Sequence, residues 1–253
     1  MKQRNKKSLL LLLLLISTQL LCAQAKKAFP GLKWAPASPE YTGVQFGYDA
    51  KSFIYDGRLL SKLPRNHAFY QSEEGDGEVY LGSYMNASMQ EALHVFFSPG
   101  PSADPSFWIT DARNNKVWES FADEMCINAS GVMYIAGHSD KMFNERRKFQ
   151  ITGKSVREIP QPFLYAGIKG KLLKPAKLYS QKNGGEVVAT LPKGYEIEVL
   201  LAEELSQSEK DNYELQKNYL ARTAFGLVGW LRLTDDDTYH LNPVVSGLGY
   251  EGD

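Results

Sequence analysis

The sequence predicts an all-β fold, with an antiparallel β-sandwich-like domain at residues 41–163 and a smaller β domain at residues 168–233. Runs rich in β-branched and aromatic residues recur along the chain, and turn residues separate them every 8–12 residues or so. No helical period of apolar residues is sustained. The 253 residues are 43% hydrophobic and 12% aromatic, which supports a packed core and excludes a disordered chain.

Residues 1–25 have the pattern of a secretory signal peptide. An apolar run at Leu9–Ile16 precedes the small-residue cleavage pattern Ala23-x-Ala25. A retained membrane helix needs about 20 apolar residues, and Gln19 interrupts this stretch too early. We therefore expect an exported protein of the periplasm or cell surface, with no retained membrane span. The positive residues that open the segment are Lys2, Arg4, Lys6 and Lys7.

Cys22 lies close to the predicted cleavage site, where some bacterial proteins are lipidated. Lipidation favours small residues before the cysteine, whereas Leu20 and Leu21 precede it here. We therefore do not expect a lipid anchor. The ending Cys22-Ala23-Gln24 resembles signal peptides of Bacteroidetes-type bacteria.

Cleavage after Ala25 makes the chain acidic. The four lost cations reduce 29 Lys and Arg residues to 25, against 29 Asp and Glu residues, for a net charge of −4. Nucleic-acid binding requires a clustered basic surface, so we expect no nucleic-acid partner. Only Cys126 remains of the two cysteines, so an intrachain disulfide is excluded.

Residues 26–40 contain three prolines and no periodicity, which predicts an extended lead-in. In the domain that follows, Asn128–Gly131 and Thr152–Ser155 have the composition of hairpin connections. The turn pattern near Asp111 and Asn128 also resembles part of a β-propeller sheet, but a complete propeller needs at least four blades of about 40–45 residues. The predicted strands are Glu78–Tyr84, Leu93–Phe97, Phe107–Thr110, Val117–Phe121, Met125–Ile127, Val132–Ala136, Phe149–Ile151 and Val156–Ile159.

Three short motifs follow in order in the second domain. A strand ends in a polar turn after Leu178–Ser180, LPKG stands at Leu191–Gly194, and GLVGW stands at Gly226–Trp230. Between the last two, residues 195–199 alternate apolar and acidic side chains, as in a strand with one buried face. This ordered set resembles the bacterial SH3 family over residues 168–233. The remaining residues, 234–253, are predicted to form a C-terminal tail.

The resemblance implies a small SH3-like β-barrel that binds a peptide or a protein partner, with cell-wall fragments among the candidates. The aromatic residues that it places near a ligand groove are Tyr179, Tyr195, Tyr219 and Trp230. Arg222 is a candidate partner for a carboxylate. Core positions for Tyr195 and Trp230 are the competing interpretation.

An acidic insertion, Glu203–Lys217, is a departure of this domain from the family pattern. Its Ser206-x-x-Glu209 sequence has the form of a capping box, which makes a short helix one possibility. Tyr213 and Leu215 alternate as in a strand, so a long hairpin is the other possibility. An insertion at this position is expected to remodel a groove, so the resemblance implies the fold more directly than the ligand.

A cell-wall peptidase is the alternative function, because such enzymes often carry SH3 domains. Cys126 with His138 and Asp140 supplies the residue types for thiol catalysis. Glu124–Asn128, however, has the pattern of a mid-strand segment, and the expected signature at a helix N-terminus is absent. The four histidines, His67, His94, His138 and His240, lack metal-ligand spacing. We therefore expect a non-catalytic binding or scaffolding protein of the bacterial cell envelope, without cofactor or metal.

Overall fold

The protein has an all-β fold, as the strand and turn pattern predicts. A computed structural model describes residues 25–72, 77–102, 104–212, 214–238 and 242–252. The predicted signal peptide before Ala25, including Cys22, lies outside the described residues, as do Tyr213 and His240. The described residues form three β-sheets and two compact units.

The first unit holds the residues up to Ile135 and Lys148–Glu158. Eleven strands begin within the described residues up to Ser155: β1 (Lys33–Pro36), β2 (Gln45–Tyr48), β3 (Phe53–Leu59), β4 (Val79–Tyr84), β5 (Leu93–Ser98), β6 (Ser106–Thr110), β7 (Lys116–Phe121), β8 (Glu124–Ile127), β9 (Val132–Gly137), β10 (Glu145–Thr152) and β11 (Ser155–Ile159). A 3-10 helix, Leu60–Lys62, follows β3. One sheet has the order β1-β2-β8-β9-β10-β11, and the other has the order β3-β4-β5-β6-β7.

One hydrophobic core contains buried residues of both sheets, as in a β-sandwich. Phe46 of β2 is fully buried, and its ring centroid lies 5.0 Å from that of Phe53 on β3 and 6.4 Å from that of Phe107 on β6. Side chains alternate across a strand, so each sheet contributes one face to this core.

The first sheet differs from the predicted antiparallel arrangement at one strand pair. β2 and β8 run parallel, with Gly47 paired to Cys126. A Cβ added at Gly47 would lie 2.8 Å from the Cys126 Cβ, so the absence of a side chain allows this close packing. The strands are far apart in sequence, and local turn chemistry gives no signal for such a pairing.

The second unit holds Ala136–Arg147 and Ile159–Asp253, of which residues 239–241 and 253 lie among those not described. Its strands are β12 (Phe163–Lys171), β13 (Ala176–Gln181), β14 (Gly184–Leu191), β15 (Glu196–Glu203), β16 (Asn218–Thr223) and β17 (Val228–Arg232). They form one sheet in the order β12-β15-β16-β17-β13-β14. β12 and β14 are its two edges and do not pair with each other, so the described strands form an open sheet where the family resemblance implies a closed barrel.

The acidic insertion contains the short helix Gln207–Asp211. The Ser206 hydroxyl accepts a hydrogen bond from the Glu209 backbone N–H, and the Glu209 carboxylate accepts one from the Ser206 N–H at 2.6 Å. Of the two possibilities that the sequence leaves open, a capped helix and a long hairpin, the structure shows the helix with its capping box. A second short helix spans Asp235–Thr238.

The second core extends beyond the predicted limits of the domain. Met142 and Phe143 precede those limits, and both are buried in this core. Val245 and Leu248, in the segment predicted as a tail, are buried there as well. Beside β12, the Ser246 N–H donates to the Lys171 carbonyl at 2.9 Å.

The close approach of this C-terminal segment explains the glycine at position 170. A Cβ added to Gly170 would lie 2.2 Å from the Ser246 carbonyl oxygen. Real Cβ atoms do not come this close to a carbonyl oxygen, so only glycine allows the segment to lie here. Within the described part of the chain, no helix is long and apolar enough to span a membrane.

Candidate functional site

The two faces of the sheet in the second unit have different environments. The inner face contributes one residue from each of five neighbouring strands, all at most 1% exposed: Leu164, Ala202, Tyr219, Leu231 and Leu178. These residues belong to the second hydrophobic core. The opposite face therefore carries the residues next to them along each strand.

On that opposite face, six apolar or aromatic residues are direct cross-strand neighbours, one from each strand in the order of the sheet. We call this set the outer row: Tyr165, Leu201, Leu220, Trp230, Tyr179 and Val187. The two terminal members are the most exposed, Tyr165 at 60% and Val187 at 48%. The four members between them are half-buried. Contiguous apolar surface of this kind is typical of an interaction site.

Trp230 and Tyr179 lie side by side because β17 approaches β13 closely. A Cβ at Gly229 would lie 3.0 Å from the Tyr179 carbonyl oxygen, so glycine allows this approach. The exposed ring of Phe163 lies 6.3 Å from the Trp230 ring and extends the apolar surface. Large aromatic side chains of this type contribute most to binding energy at interfaces.

Charged side chains flank the outer row on both sides. On one side, Lys169, Glu198 and Arg222 are successive cross-strand neighbours, and the Arg222 guanidinium forms an ion pair with the Glu198 carboxylate. On the other side, the Lys182 ammonium lies 2.6 Å from the Glu203 carboxylate. An apolar centre with a polar rim is the usual composition of a protein or peptide interface.

The structure brings together three of the five residues proposed from the sequence. Tyr179 and Trp230 belong to the outer row, and Arg222 lies on its flank. Tyr195 is half-buried against the second core and lies outside the row. Trp230 lies on the outer face of the sheet and is not part of the second hydrophobic core, which was the competing interpretation of this residue.

Tyr219 is a core residue and has no surface to offer a ligand. It is 0% exposed, and its hydroxyl donates to the Gln216 carbonyl at 2.9 Å. Burial raises the pKa of this hydroxyl well above its ordinary value. The neighbouring Leu220, which sequence reasoning did not select, contributes to the outer row instead.

The remaining row residues had weak sequence signals. Tyr165 lies at residues 164–167, between the predicted limits of the two domains. Phe163, Leu164 and Tyr165 are all apolar, so the sequence gives no sign that only the middle one of the three is buried. Leu201 follows an irregularity in register at Val199, so counting along the strand assigns it to the wrong face.

The residues of the peptidase alternative belong to different units. Cys126 is 3% exposed in β8 of the first unit, and burial raises the pKa of its thiol to about 12. His138 belongs to the second unit, where Nδ1 lies 2.7 Å from the Glu251 carboxylate and Nε2 lies 3.0 Å from the Gly249 carbonyl. Both ring nitrogens are therefore engaged. Thiol catalysis requires an accessible thiolate beside a base, and this arrangement gives it no support.

We expect Cys126 to be unreactive in the folded protein. At pH 8, an aromatic disulfide reagent should label it at least about 100-fold more slowly than in denaturant, because the thiolate is scarce and the sulfur is buried. In a chain that starts at Lys26, Cys126 is the only cysteine, so the signal has one source. Equal labelling rates in the folded and unfolded protein would contradict this account.

His138 anchors the C-terminal segment through Glu251. Burial lowers the pKa of His138, but the hydrogen bond and ion pair with Glu251, together with the Gly249 and Met142 carbonyls, outweigh it and raise the pKa above 6.5. The hydrogen bond from His138 lowers the pKa of Glu251 below 4.5. Close by, the Tyr250 hydroxyl donates to Asp140 at 2.7 Å.

The signs of these shifts define a pH window for the anchor. Because the His138 pKa is raised on folding, the protonated His138 stabilises the fold below about pH 6.5, and this contribution is lost as the pH rises through the folded pKa. Because the Glu251 pKa is lowered, the ionised Glu251 stabilises the fold above about pH 4.5. The stability difference between wild type and His138→Asn should be largest between these values and should shrink above pH 6.5. Denaturant unfolding from pH 4 to 9 measures it, and Glu251→Gln should behave alike. A difference that is constant with pH would exclude the anchor.

A metal centre has no support in the described ranges, where no group of three or more His, Cys, Asp or Glu side chains is placed to bind an ion. His67 and His94 lie in an aromatic cluster of the first unit, and the His94 Nδ1 is 2.9 Å from the Tyr80 hydroxyl.

Comparison of the chain with protein-family models, with curated proteins and with solved structures returns no match.

Proposed function

We propose that this chain is a non-catalytic, exported binding or scaffolding protein of the bacterial cell envelope, and that its ligand contacts the outer row. The observation that carries the proposal is the continuous row of six apolar side chains across the exposed face of one sheet, with charged residues on both flanks. A row of apolar side chains that is exposed at both ends and has tryptophan and tyrosine at its centre is suited to a peptide or protein ligand.

The sequence supports export and the class of ligand. The pattern of residues 1–25 is that of a signal peptide, and the ordered motifs of residues 168–233 resemble the bacterial SH3 family, whose members often bind cell-wall peptides. The engaged side chain of His138 and the buried thiol of Cys126 favour binding over hydrolysis.

The test is affinity capture with the immobilised protein, residues 26–253, from muropeptides and from periplasmic extract. We expect a peptide-containing fraction to be retained and released unchanged in mass. A Cys126→Ser variant should retain it equally well. Hydrolysis of the muropeptides that is lost in Cys126→Ser, or the absence of any retained fraction, would contradict the proposal.

A further inference from the structure

A groove at one end of the sheet in the second unit lies beside the charged flank of the outer row. Its volume is about 680 Å³, within the usual range of ligand sites. β12 and β15, the turn after β16 and the C-terminal segment at Ser246 line it. Because the Ser246 hydroxyl accepts a hydrogen bond from the Lys171 N–H at 2.8 Å, the C-terminal wall is fixed.

The charges of the groove leave one cation uncompensated. Arg222 forms an ion pair with Glu198, and Lys171 lies 3.7 Å from Glu196. Lys169 also lines the groove and stands opposite Glu198 in the strand register, yet it has no ion pair within 4.0 Å in the described part of the chain. Glu198 thus lies between two cations, and the groove carries a net positive charge.

Arg222 and Lys169 can bind an anionic group of a ligand. The Arg222 guanidinium has five N–H donors, and its contact with Glu198 uses part of them. Its side chain is 51% exposed, so the remaining donors are accessible. A carboxylate that approaches the Lys169 ammonium and the exposed side of the Arg222 guanidinium, away from Glu198, would receive charge-assisted hydrogen bonds and balance the excess charge.

The rim of the groove presents an apolar contact at a fixed position. Phe225 is 87% exposed at the tip of the turn between β16 and β17. The Gly226 N–H donates to the Thr223 carbonyl at 2.9 Å, and the Leu227 N–H donates to the Thr223 hydroxyl at 3.0 Å. Gly226 has φ +95°, a conformation that glycine adopts without strain. These hydrogen bonds hold the backbone of the turn at the rim of the groove, and the exposed Phe225 ring is accessible to an apolar part of a ligand.

We propose that this groove is a subsite for a carboxylate of the peptide whose apolar part contacts the outer row. Lys169 and Arg222 bind the carboxylate, and Phe225 forms the apolar wall of the groove. This inference rests on the proposed function, because it assigns the chemical class of the same ligand. We expect this groove to bind carboxylate-bearing peptides more tightly than neutral ones.

The experiment compares the captured muropeptide fraction with the same fraction after carbodiimide amidation of its carboxylates. Both are titrated against wild type, Lys169→Gln/Arg222→Gln and the control Lys51→Gln, which removes an exposed cation of the first unit. We expect amidation and the double substitution each to weaken binding about tenfold, and amidation to have no further effect in the double variant. Lys51→Gln should match wild type.

Each other outcome overturns the inference. Equal loss on amidation in wild type and in the double variant would place the carboxylate elsewhere. Unchanged binding of the amidated fraction to wild type, with binding still lost in Trp230→Ala, would overturn the subsite and leave the proposed function standing. Failure of wild type to bind either fraction would overturn both.

Discussion

Replacing Glu145 by alanine should lower the free energy of unfolding by about 3 kcal/mol, because it breaks a buried ion cluster. Glu145 is 3% exposed and lies 2.7 Å from the Arg147 guanidinium. Its other oxygen accepts a hydrogen bond from the Gln216 amide at 2.6 Å. Alanine would leave this buried amide without its acceptor and Arg147 with Glu204 as its ion-pair partner at 2.9 Å. The uncompensated desolvation of these groups is the source of the loss.

Thermal and urea denaturation of the full chain measure this effect. Glu186→Ala is the matched control, since Glu186 is an exposed carboxylate on β14, and it should change stability by less than about 0.5 kcal/mol. A loss below about 1 kcal/mol in Glu145→Ala would show that the cluster is dispensable. Because Glu145 and Arg147 contact Gln216 and Glu204 of the acidic insertion, loss of the cluster should also loosen the packing of the short helix Gln207–Asp211.

Replacing Trp230 by alanine should reduce affinity for the captured peptide fraction at least about 30-fold, the effect of losing a central aromatic residue at an interface. Trp230 lies between Leu220 and Tyr179 in the outer row, so truncation removes the middle of the apolar surface. Titration calorimetry measures the affinity. Circular dichroism of the variant checks that the sheet is retained.

Tyr165→Ser provides a second variant that tests the same surface with less risk to the fold. Tyr165 is 60% exposed on the edge strand β12, so its removal leaves the core intact. We expect about a threefold to tenfold loss of affinity, since residues at the edge of an interface contribute less than central ones. Unchanged affinity in both variants would exclude the outer row as the ligand surface.

Features governed by local chemistry could be predicted from the sequence. The connection at Asn128–Gly131 forms because the Asn128 side chain accepts hydrogen bonds from the Ser130 and Val132 N–H groups. The capping box at Ser206 and Glu209 forms for the same local reason. In LPKG, Gly194 has φ +85°, and the Tyr195 N–H donates to the Pro192 carbonyl at 3.3 Å, so the motif forms a local turn before β15.

Features that depend on contacts distant in sequence could not be predicted. The parallel pairing of β2 with β8 and the packing of residues 136–147 in the second unit arise from burial, for which turn residues give no signal. The outer row depends on strand register. Irregularities at Tyr165/Ile168, Val199/Leu201 and Leu178/Tyr179 shift that register, and a shift of one residue moves a side chain to the opposite face.

The central claim is that the exposed face of the sheet in the second unit binds the ligand, and amide hydrogen exchange tests it most directly. The protein, residues 26–253, is compared with and without a saturating amount of the captured muropeptide fraction. We predict slower exchange in β12, β13 and β17, the strands that carry Tyr165, Tyr179 and Trp230, with little change in β3–β7. Slower exchange confined to the first unit, or none in these three strands, would contradict the claim.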